Sequence, residues 1–294
     1  MSQRNFKVAG YVLFLTPALL FFTVLYMYPA LSSFVYAFTD WNGFSPSFHF
    51  IGIENFKQLL ADRQFVNAVL HTVGMTVAGG ITINVAGLLI AIVLDRPVRS
   101  MNLLRALYFA PALFSALVVS YVWSFILGPI TGPLNRLLHA LFGFPLDFPW
   151  LMSPSSAFWS VVGVANWLSL GTTMAIYLAG LQSIPQELHE AGKVDGVTFR
   201  QQLRYITIPM LAPAMTVTLM LSLIGGLQTF DIVFALTKGG PFGSTETIMT
   251  LLIRTLTKGQ SAAYATTMGL VLFVLILVLS AIQLRLLRSR EVEM

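Results

Sequence analysis

The segment Glu190–Pro213 is a polar island between two long apolar stretches, and it carries residue types that suit protein docking. It has the sequence EAGKVDGVTFRQQLRYITIPMLAP. The carboxylate of Glu190 can accept charge-assisted hydrogen bonds from the guanidinium of a partner. The small neighbours Ala191 and Gly192 allow that partner to approach closely. The pattern predicts a surface gripped by a soluble partner, and an amphipathic surface helix without a partner is the alternative.

Two short helices are predicted to position these residues. Ser183 and Gln186 have the spacing of a capping box, with Ser183 as the N-cap and Gln186 at N3. The helix that follows is expected to present one face made of Leu188, Ala191 and Val194.

A turn and a second helix complete the segment. Asp195-Gly196 is a turn signal that ends the first helix. Thr198 and Gln201 repeat the capping pattern and open the second helix. Pro209 then marks the start of a long apolar stretch. The two short helices are therefore predicted to meet at a sharp angle and to lie parallel to a membrane surface.

The composition shows that lipid surrounds the elements on either side of this segment. Hydrophobic residues make up 56% of the chain, charged residues make up 10%, and the mean hydropathy is +0.78. A soluble domain carries about 25% charged residues. Cysteine is absent, which excludes a disulfide framework and a thiolate metal site. The net charge of +5 fits basic residues gathered on one membrane face better than binding to an anionic partner such as nucleic acid.

Six runs without charged residues are each long enough for a membrane-spanning helix, which needs about 20 apolar residues. The predicted spans lie near 9–36, 70–94, 105–127, 157–181, 207–236 and 263–286. The sequence thus predicts an all-α integral membrane protein with six transmembrane helices. Its predicted parts are an N-terminal span with the first external loop (1–69), a core domain (70–286) that contains the cytoplasmic loop 182–206, and a cytoplasmic tail (287–294).

The first apolar run could be mistaken for a signal peptide, because Arg4 and Lys7 precede it. Its apolar core is longer than the 7–15 residues typical of a signal peptide. We therefore expect an uncleaved first span, with kinks at Pro17 and Pro29 that a lipid-embedded helix tolerates.

The basic residues predict the orientation of the chain. With the N-terminus in the cytoplasm, the inner segments hold Arg4, Lys7, Arg96, Arg99, Arg105, Lys193, Arg200, Arg204, Arg285, Arg288 and Arg290. The outer segments then hold Lys57, Arg63, Arg136, Lys238, Arg254 and Lys258. Because basic residues concentrate on the cytoplasmic side, both termini and Glu190 are predicted to be cytoplasmic.

The two larger external loops, residues 40–69 and 128–156, are rich in turn residues and aromatic residues or prolines. They predict ordered caps with short interfacial helices. Trp41, Trp150 and Trp159 fit an aromatic belt at the outer membrane interface, and direct contact with a substrate is the alternative.

No catalytic or metal site is predicted. The four histidines, His49, His71, His139 and His189, lie apart in the chain without metal-ligand spacing. His189-Glu190 lacks the second histidine of a zinc-protease helix. The sequence also lacks the G-x-x-x-x-G-K-[ST] phosphate loop, so ATP binding of that kind is not expected.

The segment Glu190–Pro213 resembles the EAA loop of the membrane subunits of binding-protein-dependent ABC importers. The family consensus is EAA, three residues, Gly, nine residues, and I-x-L-P, and every spacing is kept from Glu190 to Pro209. Gly192 replaces the third alanine and Ile208 replaces the leucine. The flanks resemble the carbohydrate branch, including the permeases of maltose importers, through LQSIP at 181–185, LTKGGP at 236–241, Asp40-Trp41 and GIENF at 52–56. The resemblance runs nearly end to end.

The resemblance implies a type I ABC importer permease fold in the bacterial inner membrane, with both termini in the cytoplasm. It implies an alternating-access pathway shared with a second, usually non-identical permease subunit. Two separate ATPase subunits would bind ATP and magnesium, and an extracytoplasmic sugar-binding protein would deliver the substrate. The chain itself would be no enzyme and would carry no cofactor.

The same resemblance implies which residues couple the chain to the ATPase. They are Glu190, Ala191, Gly192, Asp195, Gly196, Ile206 and Pro209. Glu190 would pair with a basic group of the ATPase, and Gly196 would make the turn. Ala191 and Gly192 would form the buried contact with the partner.

The resemblance to maltose-type permeases also implies sugar contacts on the helices before and after the loop. The candidate positions are Asn166, Trp167, Leu168, Ser169, Thr172, Ser222, Gly226, Gln228 and Thr229. Several are small, so the pocket would differ in size or the sugar would contact mainly the partner subunit. Intrahelical hydrogen bonding is the alternative for Ser222 and Thr229, and close helix packing is the alternative for Gly225 and Gly226.

Three other functions are alternatives to sugar import. An ion-coupled secondary transporter tends to show internal repeats and mid-membrane carboxylates, and the sequence shows no repeat. An importer of a glycerol-phosphate compound would need Arg or Lys in the path, and the six apolar runs hold none. A membrane hydrolase is the weakest alternative, since no catalytic constellation is present.

Overall fold

The computed structural model describes residues 3–95, 99–129, 132–259 and 261–288, and these residues form an all-α fold. Their one isolated β-bridge joins Thr39 and Phe50. The first half contains α1 (Gln3–Phe22), α2 (Tyr28–Tyr36), α3 (Glu54–Ala61), α4 (Arg63–Leu94), α5 (Arg99–Phe109), α6 (Ala116–Ile126) and α7 (Pro133–Phe142). The second half contains α8 (Pro154–Gln182), α9 (Gln186–Val194), α10 (Phe199–Gln202), α11 (Ile208–Met210), α12 (Ala212–Leu227), α13 (Asp231–Leu236), α14 (Ile248–Thr257) and α15 (Ala262–Arg288).

Within the described ranges, four helical stretches are long and apolar enough to cross a membrane. They are Leu13–Tyr36, Arg63–Leu94, Pro154–Gln182 and Ala262–Arg288. Two further pairs qualify together but are bent, Met101–Leu113 with Ala116–Ile126 by 99° and Phe199–Met210 with Ala212–Leu227 by 68°. Counting each bent pair as one span gives the predicted six. The third and fifth predicted spans, 105–127 and 207–236, are wrong as uninterrupted helices.

Prolines lie at both breaks. Pro111 stands in the 3₁₀ turn Ala110–Leu113, and Phe114 is extended at φ −92° and ψ 151°, so the chain turns before α6 begins. Pro213 lies in the first turn of α12, where its missing N–H costs nothing. Leu211 separates it from α11. Proline cannot continue the hydrogen bonding of a helix that precedes it, which explains why an apolar run folds as two helices.

Two other prolines are each preceded by a wider helical turn. Pro29 follows the π turn Thr23–Met27, and Pro209 follows the π turn Leu203–Thr207. In each case the residue just before the proline donates its N–H to the carbonyl five residues back. A proline ring clashes with the carbonyl four residues back in a regular helix, and the wider turn relieves that clash. Pro17, also predicted to kink its helix, lies within α1.

The chain divides into two compact units. The first comprises the described residues of Met1–Arg63 and Leu252–Val271. The buried amide of Asn55 on α3 donates to the carbonyls of Ala37 (3.0 Å) and Thr39 (2.8 Å). These bonds tie the short helix predicted in the first external loop to the chain that follows α2.

The second unit comprises the described residues of Gln64–Leu251 and Leu272–Met294, and α8 runs through both of its apolar clusters. One cluster joins α4, α6, α8 and α13 through Met75, Val119, Leu127, Val161, Val162, Val164, Val233 and Leu236. The other joins the end of α4 to the second half of α8 through Ala91, Leu94, Met174, Tyr177, Leu178, Leu181, Ile184 and Leu211. Arg96 and Arg290, which the orientation count includes, lie outside the described residues.

Candidate functional site

The docking segment, residues 182–206, folds as two short helices joined by a tight turn. Gly196 makes that turn with φ +71°, a value that residues with a side chain rarely adopt. Thr198 caps α10, as predicted, because its N–H donates to Gln201 Oε1 (2.8 Å) and Gln201 N–H donates to Thr198 Oγ1 (3.5 Å). A bond of 2.6 Å between Gln202 Nε2 and His189 Nδ1 joins the two helices.

The predicted capping box at Ser183 is wrong. Ser183 keeps helical backbone angles (φ −84°, ψ −10°), and its hydroxyl donates to the Gly180 carbonyl at 2.8 Å. It therefore ends α8 instead of opening α9, because an N-cap needs an extended backbone. Pro185 takes the N-cap position. Gln186 Nε2, free of the predicted capping role, donates to Glu190 Oε1 at 2.7 Å.

The structure also corrects which residues of α9 face outward. Gly192 is buried within the chain, and a Cβ there would lie 3.1 Å from Ile206 Cδ1 and from Val197 Cγ2. The contact of Gly192 observed here is thus internal to the chain, and its contact with a partner stays a prediction. Ala191 is exposed, and Val194 is 88% exposed.

The exposed side chains of the segment combine charged groups of both signs with apolar groups. Glu190 is exposed, and the described atoms bonded to its carboxylate belong to Gln186. Exposed apolar residues of the segment are Leu188, Val194, Phe199 and Tyr205. Asp195 is also exposed, and Ile206 and Pro209 are half-buried. Exposed apolar side chains next to a carboxylate suit a protein interface, which contains an apolar core and a polar rim.

We predict that Gly192→Val loosens the docking segment, because two extra methyl groups would crowd Ile206 and Val197. The exposed neighbour supplies a matched control, Ala191→Val. Limited proteolysis of the purified chain should cleave the segment several-fold faster in Gly192→Val than in Ala191→Val. Equal cleavage rates would show that the Gly192 contact does not hold the segment together.

A cavity of about 500 Å³ lies between α4, α8 and α12 in the second unit. Seven of the nine predicted substrate-path residues line it: Asn166, Leu168, Ser169, Thr172, Ser222, Gly226 and Thr229. Trp167 does not, since its ring packs edge-on against Trp123 with centroids 5.5 Å apart. Gln228 is the exposed C-cap of α12 and lies outside the cavity lining. We call this space the central cavity.

Helix α4 and the break between α5 and α6 supply lining residues that sequence reasoning missed. They are Thr76, Gly79 and Gly80 on α4, with Ala112 and Phe114 at the break. The pair Gly79-Gly80 could have indicated that α4 lines the cavity, because it matches the pair Gly225-Gly226 on α12. Paired glycines within a charge-free run allow either close helix packing or an open space.

The two glycines on α12 have different surroundings. A Cβ at Gly226 would lie 2.8 Å from Thr76 Cγ2, so this glycine permits close packing against α4. A Cβ at Gly225 would meet no atom within 4 Å, so this glycine leaves the central cavity open. Close helix packing, the alternative to a role in the sugar path, therefore accounts for Gly226 but not for Gly225.

Residues 83–292 match the family model described as binding-protein-dependent transport system inner membrane component. The chain belongs to this family. It is 35% identical to the probable starch degradation products transport system permease protein AmyD of Thermoanaerobacterium thermosulfurigenes, over 97% of this chain and 96% of that protein. It is 31% identical to the multiple sugar-binding transport system permease protein MsmF of Streptococcus mutans, over 97% of each.

A solved structure shows the same fold as this family member. It is a bacterial ABC transporter involved in the import of the acidic polysaccharide alginate, with a TM-score of 0.82 and 22% identity, over 98% of this chain and 99% of that chain. The fold is therefore that of a type I ABC importer permease.

A polar network joins three helices of this family member beside the central cavity. Tyr177 OH donates to Asn84 Oδ1 (2.8 Å) and accepts from Thr218 Oγ1 (2.8 Å). Asn84 Nδ2 donates to Ser222 Oγ at 2.9 Å, and Ser222 donates to the Thr218 carbonyl at 2.7 Å. The intrahelical bond foreseen for Ser222 is present, and Ser222 lines the cavity as well. A fully bonded network of this kind holds buried polar groups at low cost.

We expect Tyr177→Phe to lower the free energy of unfolding by about 1 kcal/mol, because Asn84 Oδ1 then loses its donor in an apolar interior. Tyr205→Phe is the control, since Tyr205 is exposed. Thermal unfolding of the two variants in the same detergent measures the difference. Equal melting temperatures would contradict a stabilising role for the network.

Proposed function

We propose that the chain is the permease subunit of an ATP-driven sugar importer and forms half of an alternating-access pathway. The observation that carries this proposal is the central cavity, whose lining combines apolar side chains and glycines with hydroxyl groups and the Asn166 amide, and includes no charged side chain. Hydroxyl and amide groups suit a neutral sugar. A phosphate compound would need Arg or Lys in the path.

The relatives support the choice of sugars. The printed names of several concern starch degradation products, multiple sugars, and trehalose and maltose. These names describe those proteins, and their identities of 30–35% extend over at least 97% of this chain. We infer that the same class of substrate passes through the central cavity, with Asn166, Ser169 and Thr172 among its contacts.

The docking segment is proposed to couple the chain to a separate ATPase. Glu190 would pair with a basic group of that ATPase, beside the exposed Ala191 and Val194. ATP and magnesium would be bound by the ATPase, and ATP-driven closure of two such subunits would move the segment and open the pathway outward. The chain itself would then hydrolyse nothing.

The remaining partners follow from this division of labour. A second, non-identical permease subunit would complete the pathway, and an extracytoplasmic binding protein would deliver the sugar. We place the assembly in the bacterial cytoplasmic membrane, with both termini and the docking segment inside, on the basis of the bias in basic residues.

Purification of the affinity-tagged chain from its native membrane in a mild detergent tests the proposal. We expect a second permease and an ATPase to co-purify in fixed proportion, and sugar-loaded binding protein to stimulate ATP hydrolysis. Recovery of a fully folded chain that moves sugar with no ATPase present would contradict it.

A further inference from the structure

A second concave site lies beside α8 in the same unit as the central cavity. Its volume is about 650 Å³, and three indole rings line it, those of Trp123, Trp150 and Trp159. We call it the tryptophan pocket. Its lining takes in α8 residues such as Ser160 and Gly163, whereas the central cavity is lined by Val161, Val162 and Asn166. The same helix therefore contributes to two separate cavities.

The indole of Trp150 is held in a fixed position. Trp150 Nε1 donates to Asn135 Oδ1 at 2.6 Å, and Asn135 is 1% exposed. Asn135 Nδ2 in turn donates to the carbonyls of Leu146 (3.0 Å) and Phe148 (3.1 Å). The ring of Phe148 packs edge-on against Trp150 with centroids 4.6 Å apart. An aromatic surface that is already ordered loses little conformational entropy when a ligand binds to it.

Hydroxyl groups lie among the indoles. Ser156 and Ser160 donate to the carbonyls of Pro149 (2.6 Å) and Trp150 (3.1 Å), so they fix the preceding loop against α8. Ser153 and Ser155 also line the pocket, and their hydroxyls make no hydrogen bond to other described residues. These two hydroxyls can donate to or accept from a ligand.

The chemistry of this lining discriminates between ligands. No charged residue is among the lining residues, which disfavours the phosphate of an anionic lipid. Indole faces pack against the C–H faces of a ring, and nearby hydroxyls satisfy ring hydroxyls. A neutral pyranose ring presents both kinds of group.

We propose that the tryptophan pocket is a sugar subsite at the outer end of α8, separate from the central cavity. This inference rests on the proposed function in sugar import. The exposed ring of Trp159, together with Trp123 and Trp150, would stack on a pyranose ring, and Ser153 and Ser155 would bond its hydroxyls. The aromatic-belt role predicted for Trp150 and Trp159 becomes secondary to this contact.

The test uses the full-length chain in phosphatidylcholine nanodiscs and follows tryptophan fluorescence. Maltotriose, trehalose and diacetylchitobiose are titrated separately. Two variants fill one cavity each, Gly163→Phe for the tryptophan pocket and Gly225→Phe for the central cavity. A Cβ at either glycine meets no atom within 4 Å, so both variants are expected to fold. A third variant, Trp159→Ala, removes a ring that is 56% exposed, and Trp41→Phe is its control, since Trp41 lines neither cavity.

At least one sugar should change the fluorescence saturably in the wild type, in Gly225→Phe and in Trp41→Phe. The apparent Kd should rise about tenfold in Trp159→Ala, since one lost aromatic contact is worth up to about this factor. It should rise at least as much in Gly163→Phe, because the new ring occupies the pocket. An unchanged Kd in Gly163→Phe would overturn the inference. So would a wild type that responds to none of the three sugars, or one that responds only when phosphatidylglycerol replaces phosphatidylcholine.

A parallel uptake measurement separates this inference from the proposed function. If the assembled transporter imports sugar with ATP while Gly163→Phe binds sugar as the wild type does, the subsite alone is refuted. If the assembled wild type imports no sugar with ATP, the proposed function in sugar import is refuted.

Discussion

The Glu190→Arg variant is expected to abolish sugar-stimulated ATP hydrolysis by the assembled transporter while the chain still inserts into the membrane. Glu190 is exposed on α9, so reversing its charge costs the isolated chain little. At the proposed interface the new arginine would face the basic group that the carboxylate pairs with. Breaking one partner of a desolvated charge pair costs about 2–5 kcal/mol, which corresponds to at least about 30-fold weaker association.

The same helix offers a matched control. Glu187 is also an exposed glutamate on α9, and it lies in the first turn. Glu187→Arg introduces the same change in net charge three residues away. We expect it to retain most of the stimulated hydrolysis, measured on the co-purified assembly in proteoliposomes. Wild-type uptake in Glu190→Arg, or equal losses in both variants, would contradict a specific docking role for Glu190.

The Gly225→Phe variant is expected to lower sugar uptake at least about 100-fold without changing the melting temperature. The new ring would occupy the central cavity, because a Cβ at this position meets no atom within 4 Å. The benzyl group would project into the cavity of about 500 Å³ and obstruct the path of a sugar through it. Binding of the ATPase should be unchanged, since the docking segment is not altered.

Two controls locate this effect in the cavity. Val217→Phe places the same ring at an exposed position of α12 that does not line the cavity, so it should leave uptake near the wild-type level. Gly226→Phe should instead lower the melting temperature, since a Cβ there would lie 2.8 Å from Thr76 Cγ2. Normal uptake by a folded Gly225→Phe variant would show that the substrate does not pass through this cavity.

Much of the fold could be predicted from the sequence because charge-free runs of spanning length leave the chain few alternatives in a membrane. The capping box at Thr198 was also predictable, since its bonds are local. The similar pattern at Ser183 failed because α8 ends only at Gln182, so Ser183 is its C-cap and keeps a helical backbone. The outcome at Ser183 depends on where the preceding helix ends, and a four-residue motif does not contain that information.

The lining of the central cavity could be predicted only in part. Positions on α8 and α12 follow from the resemblance to maltose-type permeases, and seven of them meet at the central cavity. The contribution of α4 depends on which helices pack together, as at Thr76, and the contribution of Phe114 depends on a 99° bend. Gly192 shows the same limit, because its buried contact with Ile206 forms only after the two short helices fold against each other.

We propose that this chain is a passive pathway moved by a separate ATPase that grips residues 182–206. The most direct measurement is sugar accumulation in proteoliposomes that contain either the purified chain alone or the chain assembled with its partner permease, ATPase and binding protein. We predict that sugar accumulates against its gradient only in the complete assembly. ATP must be present on the membrane face that carries residues 182–206. Uphill accumulation by the chain alone, driven by an ion gradient without ATP, would contradict this account.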